Sequence, residues 1–291
     1  FDVISGDNSE LFFNSTIIGH DVAWGHGNDQ DYDLESGDDI AFSGPGIQRF
    51  EGMFGFDWAI AKYDVAGVNY DMAVPFFATD QANILRDRFD QMEGFSGWRY
   101  DDILRGDDRG QILGGDVPGG TPETSFSEHV LTTEGIARID GLDDWFDGAL
   151  ITLFGSVQGA NPKAYRDGNI LMGGDGSDIF EGRGGYDIID GDSWLNVRIR
   201  IVKDGVEYTA ESKTSDTVVA GPRAGKVYNV ETGDLAFGGR SLTSLLLDRT
   251  INPGDMEIVR ELKAAPTPDD DIDVAIYRGG IAEYVIEGRG I

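Results

Sequence analysis

Aspartates recur at a fixed interval within a glycine-rich stretch, and this spacing suits metal chemistry. Residues 173–190 read as two nine-residue units, GGDGSDIFE and GRGGYDIID, with an aspartate at position six of each. Calcium prefers carboxylate and carbonyl oxygens. Glycine allows the backbone to bend so that several carbonyl oxygens point toward one place. The spacing therefore predicts oxygen cages for Ca²⁺, built from Asp178, Asp187 and the carbonyls of the turns.

The same repeat predicts the elements that position these oxygens. Apolar residues stand around position eight of each unit, so short strands should alternate with glycine-rich turns in a parallel β-roll. Each unit forms a half-coil, and every second unit stacks on the same edge of the roll. In this register Asn169 and Asp187 are predicted to share one edge, and Asp178 and Asn196 the other. Asparagine would then end the metal array on both sides.

A fainter repeat with the same period occupies the N-terminal region. Asp21, Asp39 and Asp57 fall at position six of alternate units, and Gln30 and Gln48 fall at position six of the units between them. The aspartates should therefore line one edge of a roll and the glutamines the other. We predict ions along the aspartate edge. The alternative is chance spacing in a chain with 42 glycines.

The fold class predicted for the whole chain is mainly β, with parallel β-roll segments that carry helical and β-hairpin insertions. Helices are expected at 83–93, 136–153, 241–248 and 256–263, and a hairpin around Asp204-Gly205. The predicted segments are a degenerate β-roll (1–66), a strand/helix connection with a short metal-poor roll (67–120), a helical insertion (121–163), the calcium-binding β-roll (164–199), a hairpin with helices (200–263), a linker (264–271) and the start of a further β module (272–291).

Composition narrows the classes of partner. The 53 acidic residues exceed the 23 basic ones, which gives a net charge of −30 and argues against nucleic acid or an anionic membrane as partner. A hydrophobic content of 40% argues against a disordered acidic tail. Cysteine is absent, which excludes disulfides and thiolate metal sites, and no apolar run reaches the roughly 18 residues of a membrane span. The chain starts with Phe1, and we interpret it as part of a longer protein.

The sequence supports other kinds of functional site less well. His20 and His26, with Asp21 and Asp29, could form a transition-metal or proton-transfer site, but solvated turn residues explain them better. The paired acids, such as Asp143-Asp144, are interpreted as solvated or calcium-binding rather than as a glycosidase pair. The five tryptophans are scattered and are interpreted as core residues rather than a sugar platform. No catalytic residue is predicted, and this piece of chain is not expected to be an enzyme.

The run ILMGGDGSDIFEGRGGYDIIDGDSWLNVRI resembles the RTX (hemolysin-type) calcium-binding repeat region in the C-terminal part of large bacterial secreted proteins with an animal-type haem peroxidase domain. GFDWAIAKYDVAGVNYDM, RFDQMEGFSGWRYDDILRGDD and DIDVAIYRGGIAEYVIEG resemble the same region. The likeness extends from about Gly37 to the end. Turns with Tyr100 and Arg109 in place of glycine, and the glutamine edge, depart from the pattern.

The resemblance implies metal ligands and a location. The ligands would be the side chains of Asp178 and Asp187, with turn carbonyls around Gly173, Asp175, Gly182 and Gly184. It also implies type I secretion from a Gram-negative bacterium, so that the module folds in calcium outside the cell or at its surface, attached to the rest of a larger chain. The expected function is to couple folding and stability to extracellular calcium. The alternatives are an adhesin or surface-layer module that associates through its repeat faces, or a fragment that contributes to a haem pocket.

Overall fold

Short strands dominate the chain. The computed structural model describes residues 2–7, 18–74, 85–108, 129–146, 165, 168–213, 221–265 and 270–280. The strands are β1 Asp2–Ser5, β2 Val22–Trp24, β3 Gln30–Asp33, β4 Ile40–Phe42, β5 Arg49–Glu51, β6 Trp58–Ile60, β7 Asn69–Asp71, β8 Arg88–Asp90, β9 Gly94–Ser96, β10 Ile103–Arg105, β11 Ile139–Asp140, β12 Ile170–Met172, β13 Ile179–Glu181, β14 Ile188–Asp190, β15 Ser193–Lys203, β16 Val206–Ala210, β17 Val227–Asn229, β18 Met256–Ala264 and β19 Val274–Ala275. The helices are α1 Thr133–Ala137 and α2 Leu242–Leu247, with 3₁₀ turns at Asp143–Phe146, Phe237–Gly239 and Pro253–Asp255. The prediction of a mainly β fold with parallel sheets is confirmed.

The parallel strands form one roll. A six-stranded sheet in the order β14-β12-β9-β6-β4-β2 makes one face, and two four-stranded sheets, β1-β3-β5-β8 and β19-β13-β10-β7, make the other. Strand β9 pairs with both β6 and β12. The N-terminal, central and C-terminal repeats of the sequence therefore belong to a single roll.

The strand triplets explain how the roll is buried. In β4, β6 and β12 of the six-stranded sheet all three positions are apolar, as in Ile40-Ala41-Phe42, and all three residues are buried. The central residue faces the inside of the roll, and its neighbours face an outer layer of core that includes Ile136 and Phe146. Strands of the opposite face, such as β5, carry charged residues on either side of a buried Phe50, so their outer face meets water.

Inside the roll, aromatic rings stack from coil to coil. Tyr32, Phe50 and Phe89 follow one another with ring centroids 5.0 and 5.1 Å apart. Because each ring belongs to a different coil, this stack ties successive coils together. A single coil would bury too little to fold alone.

A mostly antiparallel sheet packs beside the roll. Its order is β11-β18-β15-β16-β17, and only the β11–β18 pair is parallel. The predicted hairpin is confirmed: β15 and β16 are joined by Asp204 and Gly205, both with positive φ. The predicted helix at 241–248 is confirmed by α2, whose first turn is capped by the Ser241 hydroxyl. No helix in the described ranges is long and apolar enough to cross a membrane.

Two long segments are inserted into turns of the roll. The first leaves after Gly106 and returns at Asn169, and it contains α1 and β11. The second leaves after Asp192, contains strands β15 to β18 of the antiparallel sheet, and returns through Ala265, whose backbone N–H donates to the Asp192 carbonyl at 2.7 Å. Each insertion thus enters and leaves at one turn, and the coils above and below it remain in register.

Several helix predictions are wrong. Residues 256–263 form strand β18, since they pair with β15 over nine positions and this pairing outweighs helical spacing. Residues 88–90 form strand β8, while 83–84 lie outside the described residues. The helix from Ile136 is broken: α1 ends at Ala137, and Gly141 adopts φ 87° before the 3₁₀ turn at Asp143–Phe146. Residues 147–153 of this predicted helix lie outside the described residues.

The prediction of a further β module from residue 272 is also wrong. Strand β19 pairs in parallel with β13 and continues the roll. The Asp178 carbonyl accepts from the Val274 N–H at 2.8 Å, so the segment occupies the place of the next coil. Residues 266–269 of the predicted linker and residues 281–291 lie outside the described part of the chain.

Lys62 joins the roll to the antiparallel sheet, and its removal is expected to weaken this contact. Its buried ammonium donates to Asn196 Oδ1 at 2.6 Å, to the Val197 carbonyl at 2.8 Å and to Glu211 Oε2 at 2.8 Å. Lys62→Met leaves these acceptors without their donor, so the free energy of unfolding should fall by about 3 kcal/mol in a urea titration. The control is Lys203→Met, whose ammonium lies 3.8 Å from the exposed Asp204. Equal urea midpoints for the two variants would contradict this role.

Candidate metal centre

Two rows of polar side chains run along the edges of the roll. The first edge consists of the residues that precede the strands of the six-stranded sheet: Asp21, Asp39, Asp57, Glu93, Asn169 and Asp187. The second edge consists of the residues that lead into the opposite face, all of them polar except Val68: Gln30, Gln48, Asp87, Val68, Asp102, Asp178 and Asp273. Turns of the chain therefore bring together side chains that are far apart in the sequence.

A ladder of hydrogen bonds holds the carboxylates along each edge. Asp57 Oδ1 accepts from the Asp39 N–H at 2.8 Å, one coil earlier. On the second edge Asp178 Oδ1 accepts from the Asp102 N–H at 2.6 Å, and Asp273 Oδ1 accepts from the Asp178 N–H at 2.9 Å. Each of these bonds uses one carboxylate oxygen, so the other oxygen is left for a different partner.

Three of the second oxygens are buried without a hydrogen bond. They are Oδ2 of Asp39, Asp57 and Asp178, and all three residues have no exposed surface. Burial raises the pKa of Asp39 and of Asp178 to about 8, and it raises the pKa of Asp57 well above its ordinary value. A buried carboxylate in this condition requires either a proton or a cation.

Turn carbonyls and side-chain oxygens of the two edges approach one another beside a glycine. A Cβ at Gly173 would overlap Asp178 Oδ2 and would lie 2.6 Å from the Gly191 carbonyl oxygen of the next coil. A Cβ at Gly97 would overlap both Asp102 Oδ2 and the Gly173 carbonyl oxygen. Glycine at position one is therefore required by space. The arrangement recurs at Gly52, with Asp57 Oδ2 and the Gln91 carbonyl, and at Gly106, with Asn169 Oδ1 and the Gly182 carbonyl.

This donor set fits calcium better than a transition metal. Among the described residues, no group of three or more His, Cys, Asp or Glu side chains is placed to hold a metal ion. The recurring unit is instead one carboxylate with main-chain carbonyls from a neighbouring coil. Calcium accepts such mixed oxygen sets in loose geometry.

Arginine meets part of the cation requirement on the first edge. The Arg138 guanidinium, from the first insertion, pairs with Asp38. Arg260, from the second insertion, donates to the His20 carbonyl at 2.5 Å, and burial lowers the pKa of Arg260 although the charge of Asp39 opposes this. No basic group is among the causes that shift the pKa of Asp39, Asp57, Asp102 or Asp178. The buried carboxylates of both edges therefore still require a proton or a cation.

The structure corrects one predicted ligand and locates the others. Asn196 was predicted to follow Asp178 on the second edge, and this is wrong: it lies in β15, where Nδ2 donates to Glu261 at 2.8 Å. Asp273 takes that position, because the antiparallel sheet is inserted before the turn is complete. Asn169 and Asp187 share the first edge as predicted, since the Asn169 N–H donates to Asp187 Oδ1 at 2.9 Å.

The remaining predicted residues lie in the turns. Asp21, Asp39 and Asp57 stack on the first edge at intervals of 18 residues. Gln48 Nε2 lies 3.5 Å from Gln30 Oε1, so the glutamines share the second edge. The turn residues Gly173, Asp175, Gly182 and Gly184 lie between strands of the roll, and the Asp175 N–H donates to the Trp98 carbonyl at 2.9 Å.

The sequence did not predict four charged residues of the edges, namely Glu93, Asp87, Asp102 and Asp273. Asp87 Oδ1 accepts from the Gln48 N–H at 2.8 Å and lies on the second edge. Asp102 was assigned to a metal-poor tract because its turn lacks paired glycines, yet Gly97 at position one supplies the necessary space. Glu93 ends a turn of only three residues between β8 and β9, and its longer side chain reaches the Asp57 N–H at 2.7 Å. One feature of the sequence could have indicated Asp273 as an edge residue: apolar residues follow it in DVAI, as they follow the other edge aspartates.

No family model, no curated protein and no solved structure matches the chain. Any functional conclusion must therefore begin from the geometry of the two edges.

Proposed function

We propose that this chain is a calcium-binding β-roll module whose folding and stability are coupled to calcium. The observation that supports the proposal best is the buried, unpaired Oδ2 of Asp178, which meets the Gly191 carbonyl oxygen above Gly173. The same pairing of a carboxylate with a carbonyl from the next coil recurs at Asp57 and Asp102. A repeated arrangement of this kind favours a repeated ligand.

Side-chain and main-chain oxygens of the edges would both contribute ligands to an ion. In Asp57 and Asp178 one carboxylate oxygen accepts a main-chain N–H and so fixes the side chain, while the other oxygen is left for the metal. Asp102 accepts with both oxygens, Oδ1 from the Val68 N–H at 2.6 Å and Oδ2 from the Trp98 N–H at 3.2 Å, so a metal ion there would share Oδ2 with Trp98. The carboxylates of Asp57, Asp102 and Asp178, with the carbonyls of Gln91, Gly173 and Gly191, would hold the ions. Bound calcium supplies positive charge that offsets repulsion between stacked carboxylates, which costs about 1 kcal/mol per pair in water and more when buried.

We further propose that the module works outside the cell, as part of a larger chain. A cysteine-free protein has no disulfides to stabilise it there, and bound calcium would take over that role. Cytosol poor in calcium would leave the carboxylates repelling one another and the roll unfolded. The proposal gives this chain a folding and stabilising role and no catalytic residue.

Calorimetric titration tests the proposal. Protein stripped with a chelator and then titrated with calcium should bind several ions, and Asp178→Asn should bind at least one fewer. The matched control is Asp204→Asn, which removes the same charge from the exposed hairpin turn and should leave the ion count unchanged. Magnesium should bind much more weakly, because it requires stricter geometry. Absence of calcium uptake by the wild type, or an Asp178→Asn ion count equal to that of the wild type, would overturn the proposal.

A further inference from the structure

A cavity of about 400 Å³ lies where the roll meets the antiparallel sheet. We call it the interface cavity. The roll contributes the turns that follow β6, β9 and β12, and the sheet contributes the start of β15 and the end of β18. The residues that matter for the argument are Tyr63, Trp98, Arg99, Asp175, Trp194 and Arg223. A second cavity of about 310 Å³ adjoins it at Glu211, so the space continues along the junction.

Aromatic side chains from separate parts of the sequence meet in this cavity. Tyr63 and Trp98 lie edge to face with ring centroids 5.2 Å apart, and the Lys62 ammonium lies 5.9 Å from the Trp194 ring. All three rings are only partly buried. The interpretation of the tryptophans as scattered core residues is therefore wrong for Trp98 and Trp194. Partly exposed indole rings offer apolar surface to a flat ligand.

The charge of the cavity is opposite to that of the protein. Four basic residues and two acidic residues line it, although the chain as a whole carries a net charge of −30. Two of the basic groups are already paired, Lys62 with Glu211 and Lys263 with Glu261. The other two, Arg99 and Arg223, have no carboxylate within ion-pair distance among the described residues. Positive charge in this place is therefore available to a ligand.

The two arginines are held in position by aromatic rings. The Arg99 guanidinium lies over the Trp98 ring at 4.3 Å, and the Arg223 guanidinium lies over the Tyr228 ring at 4.0 Å. Stacking leaves the edge of a guanidinium free, and that edge binds carboxylate with two parallel hydrogen bonds. The cavity thus combines an anion-binding edge with apolar ring surface.

We propose that the interface cavity binds an acidic sugar, with its carboxylate held by Arg99 and Arg223 and its ring against the indoles of Trp98 and Trp194. The volume suits one or two sugar units rather than a long chain. Repulsion from the acidic surface outside the cavity disfavours extended polyanions such as nucleic acid. The ligand is therefore a terminal or short uronate-containing saccharide.

The cavity is linked to the second edge of the roll. The Trp98 N–H donates to Asp102 Oδ2 at 3.2 Å, and the Trp98 carbonyl accepts from the Asp175 N–H. Because Asp102 holds the backbone of Trp98, calcium at Asp102 should strengthen sugar binding, and only this calcium dependence rests on the proposed function. Sugar binding itself is measured in excess calcium, while calcium uptake is recorded separately on the same protein, so failure of one inference is distinguishable from failure of the other.

The experiment uses digalacturonate as the probe, with tryptophan fluorescence and calorimetry as readouts. The wild type should bind digalacturonate and should bind its methyl ester, which lacks the charge, at least about tenfold more weakly. Arg99→Gln/Arg223→Gln should lose at least about tenfold in affinity, and Trp98→Leu should also bind more weakly. The control is Arg249→Gln, which removes a charge from an exposed turn outside the cavity, with circular dichroism to confirm the fold of every variant.

Three results would overturn the proposal. They are failure of the folded wild type to bind digalacturonate, equal affinity for the acid and its methyl ester, and wild-type affinity in Arg99→Gln/Arg223→Gln. A loss of affinity in Arg249→Gln equal to that in Arg99→Gln/Arg223→Gln would also overturn it, because the effect would then report net charge alone.

Discussion

Chelation of calcium is expected to lower the free energy of unfolding of the roll by about 8 kcal/mol. An ion that binds only the folded state, at 100 times its dissociation constant, contributes about 2.7 kcal/mol. Three such ions, at Asp57, Asp102 and Asp178, give the total. Because a folded domain of ordinary stability has only about 5–15 kcal/mol, the chelated protein should be largely unfolded or close to it.

Thermal melts followed by circular dichroism measure this effect. The calcium-loaded protein should melt cooperatively at high temperature, and the chelated protein should melt far lower or show no transition. Sodium chloride at matched ionic strength is the first control, because salt alone screens a chain with a charge of −30. Magnesium is the second control. An unchanged melting temperature in chelator would show that the carboxylate ladders are stable without metal.

Acidification of the calcium-free protein is expected to stabilise it, which is the reverse of ordinary acid denaturation. Burial raises the pKa of Asp39 to about 8 and the pKa of Asp102 and Asp187 to about 7, from an ordinary value of 3.8. A carboxyl group whose pKa is raised on folding stabilises the fold fully below its unfolded pKa. That contribution is lost as the pH rises through the folded pKa.

The size of the effect follows from linkage. Between about pH 5 and about pH 7 a buried group such as Asp39 is protonated in the folded state and ionised in the unfolded state, so it changes the free energy of unfolding by about 2.5 kcal/mol. His20 acts in the opposite sense, because burial lowers its pKa, but it is one group against several. The groups with lowered carboxyl pKa values, such as Glu211 and Asp248, titrate below this window.

Urea midpoints against pH, with and without calcium, measure both curves. In chelator the midpoint should rise as the pH falls from about 7 to about 5. In calcium the midpoint should fall over the same range, because protons then compete with the metal for the carboxylates. The two curves should approach each other in acid. A urea midpoint in chelator that rises with pH would contradict the inference that the edge carboxylates are buried without a neighbouring cation.

Sequence periodicity predicted the local part of this structure well. Within an uninterrupted turn, nine residues fix which side chain precedes a strand, so Asp178, Asp187 and the N-terminal aspartates were placed on the edges where they lie. The three residues that end each nine-residue unit also predicted short strands of the roll. These features depend on backbone geometry that each unit carries by itself.

The long-range part could not be predicted from spacing. A repeat does not indicate where a folded segment is inserted into a turn. The nine-residue spacing therefore placed Asn196 at position six of a further unit, although the chain leaves the roll after Asp192. The helical spacing of 256–263 was overridden because β15 offered nine pairing partners. Glu93 was not predicted because its turn has only three residues, which breaks the nine-residue spacing. Its longer side chain still reaches the Asp57 N–H.

The turn that starts at Gly191 and ends at Asp273 has a consequence for the order of assembly. Asp39 and Asp57 are neighbours on the first edge and are 18 residues apart, whereas Asp178 and Asp273 are 95 residues apart. Closing the longer loop costs about 1.5 kcal/mol more in chain entropy. We expect the antiparallel sheet to fold before this coil closes, because the pairing of β15 with β18 brings Asp192 and Ala265 together and shortens the loop. We therefore expect the C-terminal coil to close late in folding and to open early in unfolding.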